Sequence, residues 1–367
     1  MPKKSVSTPP MHAKSTPASA SGSAPLSAAD IKDLQPEASH KRRQTPQPPH
    51  ESAPDEHESG EHAKPELVRE VFGLTDVGLV RDGNEDALLL LEDERLYVVA
   101  DGMGGHSAGE VASAFTVEAL RAFYENPEYT QRVRRYWRRM KREGETGQDP
   151  SPHSLRLRKA VESANITVYK TAQEHEQLRD MGTTVVATGF VGNKVFVANV
   201  GDSRVYRLRG KKLRQLTEDH SLLNEYIRMN LLRPEEIENF PYRNVIVRAL
   251  GLQESVVADI TIETARVGDQ FLLCSDGLTD LVKDDEIRDI LYDAPTAEVA
   301  CYRLVEAAKL RGGHDNITTV IIRLHETGWQ PPRAPIPPPP PPPDLPPPLP
   351  FGAGAGKQSH GDSTRNS

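Results

Sequence analysis

The chain has 367 residues, a formal net charge of −8 and 31 prolines, of which eleven precede residue 66 and fourteen lie between Pro331 and Pro350. Its 37% hydrophobic content is therefore an average over unlike parts, which excludes a single 367-residue domain and a wholly disordered chain. Two cysteines exclude a disulfide framework or a cysteine-rich zinc site and suit a reducing, cytoplasmic compartment. The acidic pI of about 5.9 gives no support to nucleic-acid binding, and no apolar run approaches the ~20 residues that cross a bilayer.

Residues 1–65, rich in Ser, Pro, Ala, His and Glu, are expected to form a disordered arm. Lys3 and Lys4 are followed by no apolar stretch, so no secretory signal is expected. The five histidines of the arm have no regular spacing and read as part of a solvated linker rather than a metal-binding tail. Residues 66–330 are expected to make one folded domain.

That domain opens with predicted strands at Val68–Leu74, Ala87–Leu91 and Leu96–Ala100. Ser107 and Glu110 have the spacing of a capping box, and apolar residues then recur at helical spacing to Phe123. Residues 132–142 (RVRRYWRRMKR) are strongly basic, with ten basic residues against four acidic from Asn126 to Lys159. This stretch reads as an exposed arginine-rich helix, or alternatively as a dock for an acidic or phosphorylated partner. A helical pattern spans Leu155–Glu176, followed by β-rich runs at Thr183–Phe190, Lys194–Asn199 and Ser203–Arg209. After the polar stretch 216–250 come strands at Val257–Glu263 and Asp269–Ser275, helices at Glu286–Tyr292 and Ala297–Leu310, and a last strand at Asn316–Leu324. Strands in consecutive runs predict an antiparallel α+β fold in layers. In the tail, 331–367, Pro337–Pro343 predicts polyproline II, either a spacer or a ligand for a Pro-recognising domain.

The chemistry concentrates where apolar strands end. Asp101-Gly102 follows Leu96–Ala100, Gly201-Asp202 follows Val195–Val200, and Asp276-Gly277 follows Phe271–Ser275. His314-Asp315-Asn316 precedes the last strand, and Glu85-Asp86 precedes the second. Any one Asp-Gly is a common turn signal. Several at strand ends would, if those ends converge, make a carboxylate cluster that needs cations to offset its repulsion. Oxygen-only donors suit Mg²⁺ or Mn²⁺, and a glycine beside Asp101 leaves a backbone carbonyl accessible. Two such ions can deprotonate a water held between them and polarise an ester phosphorus. Arg81, four residues before Glu85, is the candidate cation for a substrate phosphate; the plainer reading pairs it with a neighbouring acid. Cys274 and Cys301 fall in a predicted strand and helix and are poor nucleophiles.

Eight ordered blocks resemble the metal-dependent Ser/Thr protein phosphatases of type 2C, most closely their bacterial branch. They include Thr75–Asp86, Val98–Glu110, Met181–Thr184, Val200–Arg204, Asp219–Ser221, Arg243-Asn244 with Arg248–Gly251, Cys274–Asp280 and Gly313–Ile317. The resemblance implies a central antiparallel β-sandwich with helices on both outer faces, and a flap at 216–250 beside the metal centre. It implies a hydrolase of phosphoserine and phosphothreonine, acting by a metal-bridged hydroxide without a phospho-enzyme. By position, Asp101 would bridge two ions, Mn²⁺ or Mg²⁺, with the Gly102 carbonyl on one and Asp276 and Asp315 on the other. Asp86 and Glu85 would hold metal-bound waters, and Arg81 the phosphate. Asp202 with Asp276 would hold a third, weaker ion. Met103 stands where eukaryotic members often carry a histidine, so His106 is the candidate general acid, or else a structural histidine. The implied partners are phosphoprotein substrates, among them a Ser/Thr kinase, for a monomer that binds no membrane. A pseudo-enzyme scaffold and a phosphatase of small molecules are the alternatives; a scaffold would be expected to have lost ligands that are all present here.

Overall fold

The computed structural model describes residues 67–330 apart from 105–106, 148, 238–239 and 243–244. The arm, the Pro-rich tail, His106 and the Arg243-Asn244 pair lie outside the described residues. In chain order come β1 (Val68–Asp76), β2 (Asp86–Leu91), β3 (Leu96–Met103), α1 (Ala108–Glu125), α2 (Pro127–Glu143), α3 (Pro152–Glu174), β4 (Gly182–Thr183), β5 (Val185–Val191), β6 (Lys194–Val200), β7 (Arg204–Arg209) and β8 (Lys212–Gln215). There follow α4 (Leu222–Arg228), α5 (Pro234–Ile237), β9 (Asp259–Thr264), β10 (Gln270–Cys274), α6 (Asp276–Thr279), α7 (Asp284–Asp293), α8 (Ala297–Lys309) and β11 (Ile317–His325).

Two sheets form, one in the order β1-β11-β10-β7-β8 and one in the order β2-β3-β5-β6-β9 with β4 attached to β3. Each strand pairing is antiparallel. The two-residue period of a strand sets the layers. On β3, Leu96 and Val98 pack with Leu120 and Phe123 of α1 and Leu157 of α3. The alternate residues Tyr97 and Val99 meet Phe271, Leu273 and Val320 of the other sheet. Beyond that sheet, Leu272, Ile317 and Ile321 meet Ile287 and Leu291 of α7 and Leu304 and Val305 of α8. The product is the expected sandwich with helices on both outer faces. Because β11 is covered on both faces, it is buried from Ile317 to Leu324.

One local expectation changes and another is met. The Ser107–Glu110 box does not form: Ser107 sits at φ −91°, ψ 8°, away from the extended backbone a cap requires, and its side chain caps nothing. A box does open α3, where Ser151 and Ser154 bond reciprocally. The stretch 132–142 is helical, inside α2, which is capped at its start by Asn126, whose side chain accepts from the Glu128 amide, and at its end by left-handed Gly144. The flap carries α4 and α5, is closed on itself by the bridge Ser221↔Ile246 and is pinned to the body by the bridge Thr183↔Leu250. The β2–β3 hairpin defines two ends of the molecule: Asp86 faces Asp101 at its open end, and Leu91 faces Leu96 at its turn.

Candidate metal centre

The strand-end carboxylates do converge. Asp86 and Asp101 are register partners across β2 and β3. Asp276 opens α6 directly after β10, Asp315 lies just before β11, and β10 and β11 are neighbours. Asp202 follows β6 and lines a cavity of about 90 Å³ with Asp219, Asp276 and Asp280. Arg204, Ser221 and Thr279 line it too, with Leu223 and Asn224 at the start of the α4 flap helix.

Burial and crowding act in one direction. The Asp86 carboxyl is pushed up to about 7, first by burial and then by Asp276 and Asp315, against hydrogen bonds from Thr318 and Ser275. Burial, then Asp276, Asp219 and Asp280, raises Asp202 to about 7. Asp276 rises to about 6 through burial, Asp280 and Asp315, offset in part by a hydrogen bond with Asp101. Asp101 lies well above the carboxylate range through burial and the charges of Asp86, Asp276, Asp202 and Asp315. Each charge makes the others harder to ionise.

No three His, Cys, Asp or Glu side chains among the described residues close on a single ion position. The donor set nevertheless fits hard divalent cations. It consists of carboxylate oxygens, and buried Oδ1 atoms of Asp86 and Asp202 have no hydrogen-bond partner. A buried oxygen left in this way costs free energy that a cation would offset.

The flanking residues are held tightly. A Cβ at Gly102 would lie 2.1 Å from the Gly109 carbonyl oxygen and 2.6 Å from that of Glu85, so only glycine lets β3, the Glu85 loop and the start of α1 meet. The Gly102 amide donates to the Glu85 carbonyl at 3.1 Å. The Glu85 carboxylate rests on Gly109 in the first turn of α1, and its pKa is raised by burial. Arg81 donates to Asp315 Oδ2 at 2.7 Å, with side-chain exposures of 51% and 39%. The plainer reading of Arg81 thus holds in this structure: the guanidinium stands at the mouth of the site, paired with an acid. Cys274 and Cys301 are buried, and burial pushes both thiols up to about 12, which leaves them inert.

Several organisers were not singled out from the sequence. Ser275 Oγ donates to Asp86 Oδ2 at 2.8 Å and accepts from the Thr318 amide at 3.0 Å, joining three strands beneath the rim. Asn316 accepts from the Glu85 amide and donates to the carbonyls of Val77 and Gly83, fastening the Arg81 loop to β11. Thr184 accepts from the Asp101 amide at 3.1 Å and bonds Ser203 Oγ at 2.7 Å. His220 Nδ1 accepts from the Gly201 amide at 3.0 Å, tying the flap to the residue before Asp202. The available signal was a polar residue beside an aspartate for Ser275, Asn316 and His220, and none of that kind for Thr184. All four lie inside the recognised blocks.

A sandwich of two antiparallel sheets, with buried carboxylates gathered at one rim, defines a class of divalent-metal hydrolases. The chain matches the family Protein phosphatase 2C over residues 81–306 and belongs to that family. It is 37% identical over 253 residues to the serine/threonine phosphatase stp of Listeria monocytogenes, covering 68% of this chain and 93% of that one. The crystal structure of the Mycobacterium tuberculosis serine/threonine phosphatase PstP/Ppp is 35% identical, covers 71% of this chain and all of its own, and superposes with a TM-score of 0.61. The PstP catalytic domain solved in complex with two manganese ions has the same identity and coverage, at a TM-score of 0.58. Among the described residues, no helix is long and apolar enough to cross a membrane.

Proposed function

We propose that this protein phosphatase hydrolyses phosphoserine and phosphothreonine in proteins at its carboxylate rim, with two divalent ions, Mn²⁺ or Mg²⁺, as resident cofactors. The observation that carries the reading is the crowded set of buried Asp86 and Asp202 and part-buried Asp101 and Asp276, raised in pKa together, in which one oxygen each of Asp86 and Asp202 has no partner. Asp101, the Gly102 carbonyl, Asp276 and Asp315 would hold the pair of ions, with Asp86 and Glu85 on their waters and Asp202 with Asp276 on a third. When bound, the ions supply a deprotonated water at neutral pH and polarise the phosphoryl oxygens.

The remaining work falls to the protein. Arg81 orients the phosphate once its guanidinium leaves Asp315 for the incoming oxygens. Water adds to phosphorus as the bond to the serine or threonine oxygen breaks, and a proton passes to that leaving oxygen. The flap residues Leu223 and Asn224 border the cavity and meet the polypeptide around the phosphorylated residue. The resemblance further suggests a Ser/Thr kinase among the substrates, the cysteine content a cytoplasmic location, and the proline distribution residues 66–330 as the unit that works between two arms.

The test is turnover of p-nitrophenyl phosphate and of phosphopeptides. EDTA, Asp101→Asn and Asp276→Asn are each expected to abolish it, and Mn²⁺ to restore only the EDTA-treated wild type. Full turnover by either variant would sink the mechanism.

A further inference from the structure

Six cations stand on one face of α2. Arg134, Arg135, Arg138, Arg139, Lys141 and Arg142 are all exposed, and at ~100° per residue they fill a continuous arc of about 160°. The opposite arc, formed by Tyr129, Val133, Tyr136, Trp137 and Met140, packs onto the core. Arg139 and Lys141 lean over the rings of Tyr136 and Trp137 at 4.9 and 5.2 Å. Among the described residues no carboxylate pairs with Arg134, Arg135, Arg138 or Arg142, whereas nearby Arg156 and Arg158 each have one. Like charges four residues apart oppose the helix that carries them.

The described chain begins at the same end of the molecule. Arg69 donates to the Leu67 carbonyl, and Leu67 shares a core cluster with Tyr97. Tyr97 donates to Glu92 in the hairpin turn, and Glu94 of that turn pairs with Arg156 at 2.9 Å. Arg156 stands 4.1 Å over the ring of Tyr124, next to Phe123, which stacks on Tyr129 of α2 at 4.8 Å. Shortly before Leu67, residues 51–61 read Glu51-Ser-Ala-Pro-Asp55-Glu56-His-Glu58-Ser-Gly-Glu61, with five carboxylates and no Lys or Arg.

We propose that the acidic segment 51–61 docks on the basic face of α2 as an intramolecular electrostatic cover. Five anions meet six cations. The residues between them and Leu67 reach up to ~3.5 Å each, so the segment can lie along the helix. The tether sets an effective concentration in the ~mM range, at which individually weak surface pairs suffice. An acidic protein approaching α2 must displace the arm. The cover lies toward the hairpin turn, away from Asp86 and Asp101, so hydrolysis of a small phosphoester is indifferent to it.

The test uses the full chain with a nitroxide attached to Ser59→Cys. Cys274 and Cys301 are buried, so the label goes to position 59. Two indole N–H signals report. Trp329 stacks on His325, the register partner of Val68, and senses the tethered arm whether or not it docks. Trp137 lies in α2, its indole donating to the Asp149 carbonyl. At low salt both signals are expected to broaden. At ~0.5 M NaCl, where the Debye length is only a few ångströms, the Trp137 signal recovers while Trp329 stays broad. The fourfold variant R134Q/R135Q/R138Q/R139Q gives the same recovery at low salt, with p-nitrophenyl phosphate turnover unchanged as evidence of folding. A sharp Trp137 signal at low salt, or equal broadening in the fourfold variant, overturns the proposal. So does a Trp137 signal that stays sharp while phosphatidylserine vesicles bind the face.

Discussion

The carboxylate rim and helix α2 are both clusters of like charge, and they differ in where water stands. At the rim, Asp86 and Asp202 are buried, and desolvation is the first cause of their raised pKa values. On α2 the arginines are exposed, and solvent and salt screen their repulsion. The same repulsion therefore becomes a demand for bound cations in one place and a surface property in the other. Burial, and not charge count, makes a charged cluster a catalytic centre.

The comparison breaks most visibly at Asp101. Asp101→Asn removes a charge from the crowded set while keeping its shape. Activity is expected to fall to background, yet the melting temperature of the metal-free protein at pH 8 is expected to rise. A fall in both would mean that Asp101 is held by favourable contacts and not by repulsion.

A second effect follows from pH. Folded-state values of about 6 to 7 for Asp86, Asp202 and Asp276 exceed the ordinary value of 3.8. Between those limits the folded chain keeps protons that the unfolded chain has released, so stability falls as pH rises. Thermal melts of metal-free protein should show a lower Tm at pH 8 than at pH 5, and saturating Mn²⁺ should erase the difference. A Tm that climbs over that range in the metal-free state would contradict the buried-repulsion account.

Ser275→Ala ranks third. It leaves Asp86 Oδ2 and the Thr318 amide without their shared partner, which is expected to cost ~1–3 kcal/mol in denaturant unfolding and ~10–100-fold in Mn²⁺ affinity by titration calorimetry. The smallest change is at Arg138→Gln, which relieves i,i+4 repulsion with Arg134 and Arg142. It should stabilise α2 by only about 0.2–0.5 kcal/mol, and less at high salt.

Much of this was legible before the fold was known. The strand limits of β1, β6 and β11 follow from apolar patterning, and the motif blocks located Asp86, Asp101, Asp202, Asp276 and Asp315 at strand ends. The Ser107 cap was misread because spacing says nothing about φ and ψ. The pairing of Arg81 with Asp315, 234 residues apart, has no local signature. The same holds for Ser275, whose partners Asp86 and Thr318 come from other strands.

The sequence by itself determined the layered antiparallel class, the family and the residue types able to hold hard cations. Those are properties of local pattern and side-chain chemistry. Only the tertiary structure decided that the carboxylates share one rim, that Ser275 and Asn316 fasten that rim from beneath, and that the cations of α2 stand on one face clear of the folded core. Burial and mutual distance belong to the packed sheets, because residues far apart in the chain meet only when the two sheets close on each other.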